Sequence, residues 1–378
     1  MIKYYEYAYA EAIDKILPHN QRSLCMKIIV LAGGLSTERN VSLVSGVKIC
    51  ESLRRSGHQA VFLDMFFGLE GTDYTPETVF ETLPPVPALR ISRQAPDLTA
   101  LQKSRKDNSG GFLGTGVLDL CRRADLVFLG LHGACGEDGR IQGLFDLMGI
   151  AYTGSGHLGS TVAMNKILTR QLVAAADVTV PAGWVVSSMD ELKTAGITCP
   201  CVAKIPNGGS SIGVAICRSM AELETSAAAF FAESEQLLVE TYISGREFSC
   251  GVLGDAALPA IEIVPKSGFF DYENKYQDDA TDEICPARID EHSERTMRSM
   301  ALTAHRLLGL GVYSRSDFRM REDGEIFFLE VNTLPGMTPA SLLPKEAAAA
   351  GVGYDALCRS IAEQSLIIRK KEAGSWSQ

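Results

Sequence analysis

The chain has 378 residues, a net charge of −10, and a composition that is 46% hydrophobic and 22% charged. These values predict a globular protein with more than one core and exclude an intrinsically disordered chain. The acidic charge argues against nucleic-acid and anionic-membrane partners, and no apolar run is long enough to span a bilayer. The 10 cysteines include no CxxC pair, so we expect reduced thiols in a cytoplasmic protein.

Residues 1–25 precede the first strong strand signal. They carry Glu6, Glu11 and Asp14 and lack an apolar core, so they are not a secretory signal. Their apolar and aromatic positions recur at helical spacing and predict a short amphipathic helix. We interpret 1–25 as an N-terminal extension and assign it no function.

The first strong strand signal is the apolar run 27–32, which is followed by Gly33-Gly34 and a helix start that contains Glu38. A second strand is predicted at 58–64. A strand, a glycine loop and a helix in this order are typical of a doubly wound sheet, in which ligands bind at the carboxyl ends of the strands. Glu38 could hold a substrate cation there, or it could simply interact with the helix dipole.

Residues 68–116 are polar and interrupted by proline and glycine, and we interpret them as a peripheral excursion without assigning its structure. Residues 124–131 predict a third buried strand, and this strand leads directly into His132 within a glycine-rich loop. A lone histidine is often structural, but its place at a strand end makes His132 a candidate for contact with a ligand.

The segment 154–159 matches the dinucleotide fingerprint GxGxxG, and the helix after it contains Lys166. The match is weak because the earlier strands already end in glycine loops of their own. In addition, no acidic residue follows a strand at the expected distance. We therefore reject a nicotinamide site here.

Two further predicted strands carry candidates for nucleotide binding. The strand at 200–205 contains Lys204 and is followed by a Gly/Ser loop with Ser210, a combination of charge and backbone N–H groups that suits phosphate. The absence of GxxxxGK[ST] excludes a P-loop fold. The strand at 236–242 carries Glu240 near its end, and Glu247 follows it. These residues could bind an adenine edge and ribose hydroxyls, or Glu247 could be an ordinary surface charge.

Residues 266–286 are charged and rich in aromatic residues, with little apolar periodicity. We interpret them as a lid whose Lys275 and Tyr276 reach inward on closure. A helix at 288–310 follows, and a final helix is predicted at 354–369.

Residues 313–338 read as a hairpin with a two-residue turn at Asp323-Gly324. Counting outward from this turn puts Glu322 opposite Glu325. Because side chains alternate between the faces of a strand, Glu330 and Asn332 should share one face, and Phe327, Leu329 and Val331 the other.

The opposite face of this hairpin carries the chemically active residues. The same register places Asp317 opposite Glu330 and Arg315 opposite Asn332. Two facing carboxylates repel each other unless a positive group lies between them, and with the amide oxygen of Asn332 they suit a hard cation such as Mg²⁺. An ordinary exposed hairpin with scattered charges is the alternative.

Six motifs occur in one order along the chain: GGLSTERNVSL, LHGACGEDGRIQG, YTGSG, GSSIGV, DYENKY and LEVNTLPGMTPASL. With these motifs the sequence resembles the D-alanine–D-alanine ligases of the ATP-grasp superfamily, from about Lys27 to the final helix. The resemblance implies an α/β protein with an ATP-grasp fold and an N-terminal doubly wound, Rossmann-like subdomain. The implied division is 26–154 for an N-terminal α/β substrate-binding subdomain, 155–240 for the ATP-grasp small lobe, and 241–378 for the C-terminal lobe with lid and metal site.

The resemblance also implies the reaction and the role of each candidate residue. Two D-alanines would be joined through an acyl phosphate for peptidoglycan synthesis, with ATP as co-substrate and two Mg²⁺ (or Mn²⁺) ions, by a cytoplasmic homodimer. The nucleotide would be bound by Lys166, Lys204 and Lys275 at the phosphates, Glu240, Thr241, Tyr242 and Ile243 at the adenine, and Glu247 at the ribose. The metal would be bound by Asp317, Glu330 and Asn332.

The remaining implied roles concern the amino acids. Glu38 and His132 would orient the first D-alanine, and Ser341 would bind the carboxylate of the second. Arg315 and the Gly336 N–H would stabilise the oxyanion. Glu38, Ser210 and Tyr276 would hold the lid closed. This sequence has Lys204-Ile-Pro where a Lys-Pro start is commoner, which leaves the conformation of that loop open.

Two alternative functions are weighed against this one. The nearer alternative is a ligase for D-serine or D-lactate as second substrate, and the D-lactate version is less favoured because Tyr276 resembles the peptide-forming arrangement. The other is a nucleotide-binding regulatory protein that has lost its chemistry, which the presence of Arg315 and both metal carboxylates disfavours.

Overall fold

The computed structural model describes residues 25–89, 96–107, 110–208, 213–266 and 281–376. The N-terminal helix expected before residue 25 lies outside these ranges, as do Ser210, Lys275 and Tyr276. The described strands are β1 Lys27–Ala32, β2 Gln59–Asp64, β3 Leu126–Leu129, β4 Gly183–Val186, β5 Cys201–Lys204, β6 Val214–Cys217, β7 Leu237–Thr241, β8 Arg246–Leu253, β9 Ala256–Ala257, β10 Ile261–Pro265, β11 Thr281–Ile284, β12 Tyr313–Met320 and β13 Ile326–Asn332.

Helices connect these strands. The described helices are α1 Arg39–Arg55, α2 Leu98–Ser104, α3 Val117–Arg123, α4 Arg140–Met148, α5 His157–Met164, α6 Lys166–Ala175, α7 Met189–Thr194, α8 Met220–Phe230, α9 Glu291–Leu307, α10 Leu342–Ala349 and α11 Tyr354–Trp376. None of these helices is long and apolar enough to cross a membrane.

The N-terminal sheet is parallel, with strand order β2-β1-β3. Residues Ile28–Leu31 of its central strand are all buried, as expected of an apolar strand covered on both faces. Parallel strands end at the same edge of a sheet, so the loops after β1 and β3 lie side by side. This edge brings Glu38 and His132 together.

Two further sheets follow the N-terminal one along the chain. Strands β4-β7-β5-β6 make a small antiparallel sheet against which α7 and α8 pack. Strands β11-β10-β8-β12-β13 make a larger sheet that α9 covers. Each of these sheets carries candidate site residues: Lys204 lies at the end of β5 in the small sheet, and Arg315 and Asp317 lie on β12 in the larger one.

Most sequence-based element predictions are confirmed, with strand ends shifted by one or two residues. Helix α9 begins later than expected because the Asp290 carboxylate accepts hydrogen bonds from the N–H groups of His292 and Ser293, at 2.9 and 3.1 Å. The final helix is longer than the predicted 354–369. The lid prediction is wrong for its last residues, because Thr281–Ile284 form strand β11 and pair with β10.

The excursion at 68–116 packs on the N-terminal sheet through a buried arginine. The Arg105 guanidinium donates to the carbonyl oxygens of Phe66 (3.1 Å) and Gly111 (2.9 Å) and to Asp107 (2.7 Å). It also lies 4.6 Å from the centre of the Phe66 ring. This buried, paired cation helps to fix a polar segment with weak periodicity, whose Val79 and Phe80 also pack in the core of the N-terminal sheet.

Candidate active site

His132 is held between three loops of the site. Its Nδ1 lies 3.0 Å from the carbonyl oxygen of Leu334 and its Nε2 lies 3.3 Å from Ser45 Oγ, while its own carbonyl accepts from Ser36 Oγ at 2.8 Å. Burial lowers the pKa of His132, so the imidazole is neutral at pH 7. The ring therefore joins the loop after β3 to the loop after β13.

Glu38 is the residue that precedes α1, and its side chain lies against the His132 loop. A Cβ atom on Gly133 would sit 3.2 Å from Glu38 Oε2, which places the carboxylate directly beside that backbone. Gly133 has a φ of +72°, so a side chain there would be both strained and obstructive. The structure thus brings Glu38 and His132 to one place, as the sequence predicts.

Glu137 is a site residue that the sequence reasoning missed. Its carboxylate accepts hydrogen bonds from the N–H groups of Gly133 (2.7 Å) and Leu334 (3.3 Å), which belong to two different loops. Burial, together with the charge of Glu38, raises the pKa of Glu137 to about 8. An acid within the glycine-rich run 130–139 was the available signal, because such loops leave backbone N–H groups that need an acceptor.

Arg315 and Asp317 form a two-point ion pair on β12. Arg315 Nε lies 2.9 Å from Asp317 Oδ1, and Nη2 lies 2.9 Å from Oδ2. Ser249 Oγ (2.8 Å) and Asn332 Nδ2 (3.1 Å) donate to the same carboxylate, so all of its roughly four acceptor positions are used. Burial works to lower the pKa of Arg315, but the charge and hydrogen bonds of Asp317 raise it.

The cross-strand pairs predicted for this hairpin are confirmed: Asp317 faces Glu330, and Arg315 faces Asn332. The turn prediction is wrong. Arg321 N–H bonds to the Glu325 carbonyl at 2.9 Å, so the loop has three residues instead of two.

The longer loop shifts the strand register by one residue, and a bulge in β13 compensates for that shift. Phe318 pairs with Phe328 and Asp317 pairs with Glu330, which leaves Leu329 as the extra residue. For the same reason the shared face predicted for Phe327, Leu329 and Val331 is wrong: Val331 packs in one core cluster with Phe328, and neither Phe327 nor Leu329 belongs to that cluster.

The predicted metal ligands are two carboxylates and an amide, Asp317, Glu330 and Asn332. The described residues contain no cluster of three or more His, Cys, Asp or Glu side chains suited to a metal. Oxygen donors of this kind suit a hard divalent cation, but the donors that now surround Asp317 would have to give up at least one of its oxygens. The positive group expected between the two carboxylates is supplied by the protein: Arg315 pairs with Asp317, and Lys166 Nζ lies 3.4 Å from Glu330 Oε2.

Both phosphate lysine candidates are buried and already have partners. Lys166 donates to the Gly208 carbonyl as well as approaching Glu330. Lys204 Nζ lies 2.6 Å from Glu240 Oε2, and Glu240 also lies 3.3 Å from Arg170. Burial alone would lower the pKa of Lys204, but the charge and hydrogen bond of Glu240 raise it.

The remaining nucleotide candidates lie near the start of β8. Arg319 Nη2 donates to Glu247 Oε2 at 2.8 Å, and its guanidinium lies 5.9 Å from the centre of the Tyr242 ring. Thr241 ends β7, and Ile243 is buried just beyond it. Because the side chain of Glu240 is engaged by Lys204, this stretch offers an adenine its backbone groups.

Ser341 stands at the start of α10 and closes the loop after β13. Its Oγ lies 2.8 Å from Thr338 Oγ1 and accepts from Thr338 N–H at 3.1 Å. A Cβ atom on Gly336 would lie 3.0 Å from Ser341 Oγ, so a side chain there would press on the Ser341 hydroxyl. Gly336 and Ser341 therefore lie side by side, as their predicted roles require.

Comparisons with known proteins agree with this geometry. A family model for the D-ala D-ala ligase N-terminus matches residues 27–155, and one for the D-ala D-ala ligase C-terminus matches residues 172–363. A D-alanine–D-alanine ligase of Lacticaseibacillus casei (strain BL23) is 40% identical over 344 residues, which are 90% of this chain and 96% of that protein. One of Pediococcus pentosaceus is 41% identical over 341 residues, 89% of this chain and 96% of that protein.

Solved structures point the same way. The D-alanine–D-alanine ligase from Bacillus anthracis complexed with ATP superposes with a TM-score of 0.68 at 29% identity, covering 92% of this chain and 100% of that one. The two family models together span nearly all of the described chain. The chain therefore belongs to the D-alanine–D-alanine ligase family.

Proposed function

We propose that this site joins two D-alanines into D-alanyl-D-alanine at the expense of ATP, a reaction of peptidoglycan synthesis. The chain is an ATP-dependent ligase, as its family membership establishes. The residue assignments rest on one observation: Arg315 pairs with Asp317, which faces Glu330 across the strands, and Lys166 lies beside Glu330. Its relatives do not favour D-serine or D-lactate as the second substrate.

The nucleotide would lie between the small sheet and the β12–β13 pair. Lys166 and Lys204 supply two cations for the α- and β-phosphates, and backbone groups of residues 240–243 meet the adenine. Glu247, which is fixed by Arg319, accepts from the ribose hydroxyls. Lys275 is proposed for the transferred phosphate and lies outside the described residues.

Asp317, Glu330 and Asn332 would hold Mg²⁺ (or Mn²⁺), with two ions present together with ATP. Their oxygen donors suit such an ion, which when bound would neutralise charge on the phosphates. The fold places these ligands before an ion binds: with the bulge in β13, Glu330 lies directly opposite Asp317 on the neighbouring strand. Ser249 fixes the rotation of the Asp317 carboxylate.

The amino acids would bind on the N-terminal side of the site. Glu38 and neutral His132 orient the first D-alanine, whose carboxylate oxygen attacks the γ-phosphorus as the bond to ADP breaks. The free amine of the second D-alanine, whose carboxylate rests on Ser341, then attacks the acyl carbon. Phosphate leaves with the electrons of the C–O bond and takes up the proton that the amine nitrogen loses.

Two groups would stabilise the oxyanion formed in this second step. Arg315 Nη1 has no acceptor among the described residues and so remains available to it. The Gly336 N–H is the second donor. A preorganised donor of this kind contributes about 3–4 kcal/mol to the transition state.

Three finer points belong to the same proposal. Ser210 and Tyr276 would latch the closed site with Glu38, although both lie outside the described residues. The chain would divide at 26–154, 155–240 and 241–378. It would work as a homodimer in the cytoplasm, where ATP and reduced thiols are both at hand.

The test is phosphate release from ATP that depends on added D-amino acid, followed by mass analysis of the product. We expect D-alanyl-D-alanine as the main product, with D-serine used less well and D-lactate hardly at all. A hydroxyl added to a substrate is rejected by about a hundredfold at most in a small apolar pocket. A depsipeptide as the main product near neutral pH would contradict the substrate assignment, and phosphate release without any D-amino acid requirement would contradict the ligase itself.

A further inference from the structure

Glu346 is a buried acid that the proposed reaction does not use. It lies on α10, five residues after Ser341, and is 0% exposed. Neither carboxyl oxygen has a hydrogen-bond partner among the described residues. Burying a carboxyl group in this way is costly, so an apolar residue would be expected unless the acid is needed.

The position of Glu346 relates it to Arg315. Gly251 on β8 is the cross-strand partner of Arg315, and a Cβ atom on Gly251 would lie 2.5 Å from Glu346 Oε2. Directly opposite residues of an antiparallel pair project from the same face of the sheet. The absent side chain of Gly251 therefore leaves the space in which the Glu346 carboxyl sits, on the face from which Arg315 projects.

In the structure Arg315 is paired with Asp317 and not with Glu346. Asp317 takes two donors of the guanidinium, and Asp317 itself is saturated by Ser249 and Asn332 as well. Each oxygen of Asp317 accepts one bond from Arg315, so a ligand on either oxygen competes with this pair. A buried guanidinium would then need another anionic partner.

We propose that Glu346 is that second partner, a positioning residue that accepts the Arg315 guanidinium when Asp317 turns to a ligand. The inference rests on the proposed function, in which Asp317 serves a metal and Arg315 serves the oxyanion. Glu346 would keep Arg315 at the reacting carbon while Asp317 is occupied elsewhere.

The electrostatics of the pair support this arrangement. Burial raises the pKa of Glu346 to about 8, and the charge of Arg315 opposes that rise. The charge of Asp317 adds to the rise in pKa and the backbone of Gly251 opposes it, so the neutral acid is favoured while Arg315 stays with Asp317. Lys345 Nζ lies 2.6 Å from Glu283 Oε2, so its charge is balanced by Glu283 and not by Glu346.

The test is a double-mutant cycle measured by thermal unfolding without ligand. Asp317→Asn removes the charge of Asp317 and one of its two acceptor oxygens, and so imitates a state in which its hold on Arg315 is weakened. In the parent protein Glu346→Gln should leave Tm unchanged or slightly higher, because it removes an unpaired buried acid. In the Asp317→Asn background the same change should lower Tm by at least about 3 °C, because Arg315 then loses its remaining partner.

Glu294→Gln is the matched control. Glu294 is another buried acid near Glu346, but its Oε1 accepts from Ala260 N–H at 3.1 Å, so its role is structural. Its loss should lower Tm equally in both backgrounds. Equal effects of Glu346→Gln in the two backgrounds would overturn the proposal.

A third background and a kinetic readout complete the test. In Arg315→Met protein, Glu346→Gln should not lower Tm; a loss of about 3 °C or more there would overturn the proposal, even if the Asp317→Asn/Glu346→Gln variant does not fold. In the ligase assay Glu346→Gln should lower kcat roughly tenfold with the KM for ATP unchanged, a split that general destabilisation would not produce. Because the stability cycle needs no turnover, it can succeed or fail independently of the ligase reaction.

Discussion

Lys204 and Glu240 form a buried ion pair across β5 and β7, with 2.6 Å between Nζ and Oε2. Glu240 is 3% exposed, so its charge depends on this partner and on Arg170. The lysine proposed to hold a phosphate thus also neutralises a buried acid. Binding and stability should therefore change together when Lys204 is altered.

We predict that Lys204→Met lowers the free energy of unfolding by about 3 kcal/mol, the usual cost of leaving one partner of a buried ion pair alone. Lys204→Met/Glu240→Gln should regain part of that stability, because the buried carboxylate is gone and only the partly exposed Arg170 loses its partner, but should not regain ATP binding. Urea unfolding and calorimetric titration with ATP measure the two properties separately. ATP binding by the double variant at parental affinity would contradict the phosphate role.

We predict that Asp317→Ala abolishes turnover and also lowers Tm. Repulsion between Asp317 and Glu330 alone would favour the opposite change in stability, but Asp317 is the two-point partner of the buried Arg315. Glu330→Ala should abolish turnover with a smaller loss of Tm, since the Glu330 side chain is 32% exposed and Lys166 keeps the Gly208 carbonyl. Thermal melts without ligand compare the loss of Tm in the two variants. A larger loss of Tm for Glu330→Ala than for Asp317→Ala would contradict this interpretation.

The hairpin shows what sequence could and could not reveal. Alternation with period two and a turn signal were enough to pair Asp317 with Glu330, and the resemblance supplied the roles. The three-residue loop and the Leu329 bulge displace the register in opposite directions, so the pairing was correct although the turn was not. A bulge has no local sequence signal, because it depends on how the next strand and the core accept the extra residue.

Glu137 and Glu346 were missed for a different reason. Each is an acid that looks like a solvated loop or helix charge until the fold buries it beside another segment. Their importance comes from contacts about 200 and 95 residues away along the chain, with Leu334 and Gly251. Local patterns predict elements well, but such long-range burial follows only from the complete fold.

We predict that Ser341→Ala raises the KM for the second D-alanine with little change in the KM for ATP. The hydroxyl is placed by Thr338, next to Gly336, where the second carboxylate is proposed to bind. Ser188→Ala is a matched control, because Ser188 also precedes a helix and accepts from Glu191 N–H at 3.2 Å, but lies in the small sheet domain. Initial rates at varied D-alanine, with ATP saturating, should separate the two variants, and equal kinetic effects would contradict the carboxylate role.

The last prediction concerns the pH dependence of stability. Glu137 has a pKa of about 8 in the folded chain against an ordinary value of 4.5, because burial and the charge of Glu38 disfavour ionisation. The folded chain therefore holds this proton more tightly than the unfolded chain. Its stabilising contribution is complete below about pH 4.5 and is lost as the pH rises through about 8.

Glu137→Gln cannot lose a proton, so it escapes this pH-dependent loss. Its amide oxygen can accept only one of the two N–H bonds from Gly133 and Leu334, which lowers stability by a constant amount at every pH. The difference in Tm, variant minus parent, should therefore become steadily more positive between pH 5 and pH 8, whatever its starting value. Thermal melts in a single buffer series measure it, with Glu77→Gln, an exposed acid, as the control that should show no such trend. A flat difference for Glu137→Gln would show that this carboxyl group is ionised in the folded chain throughout the range.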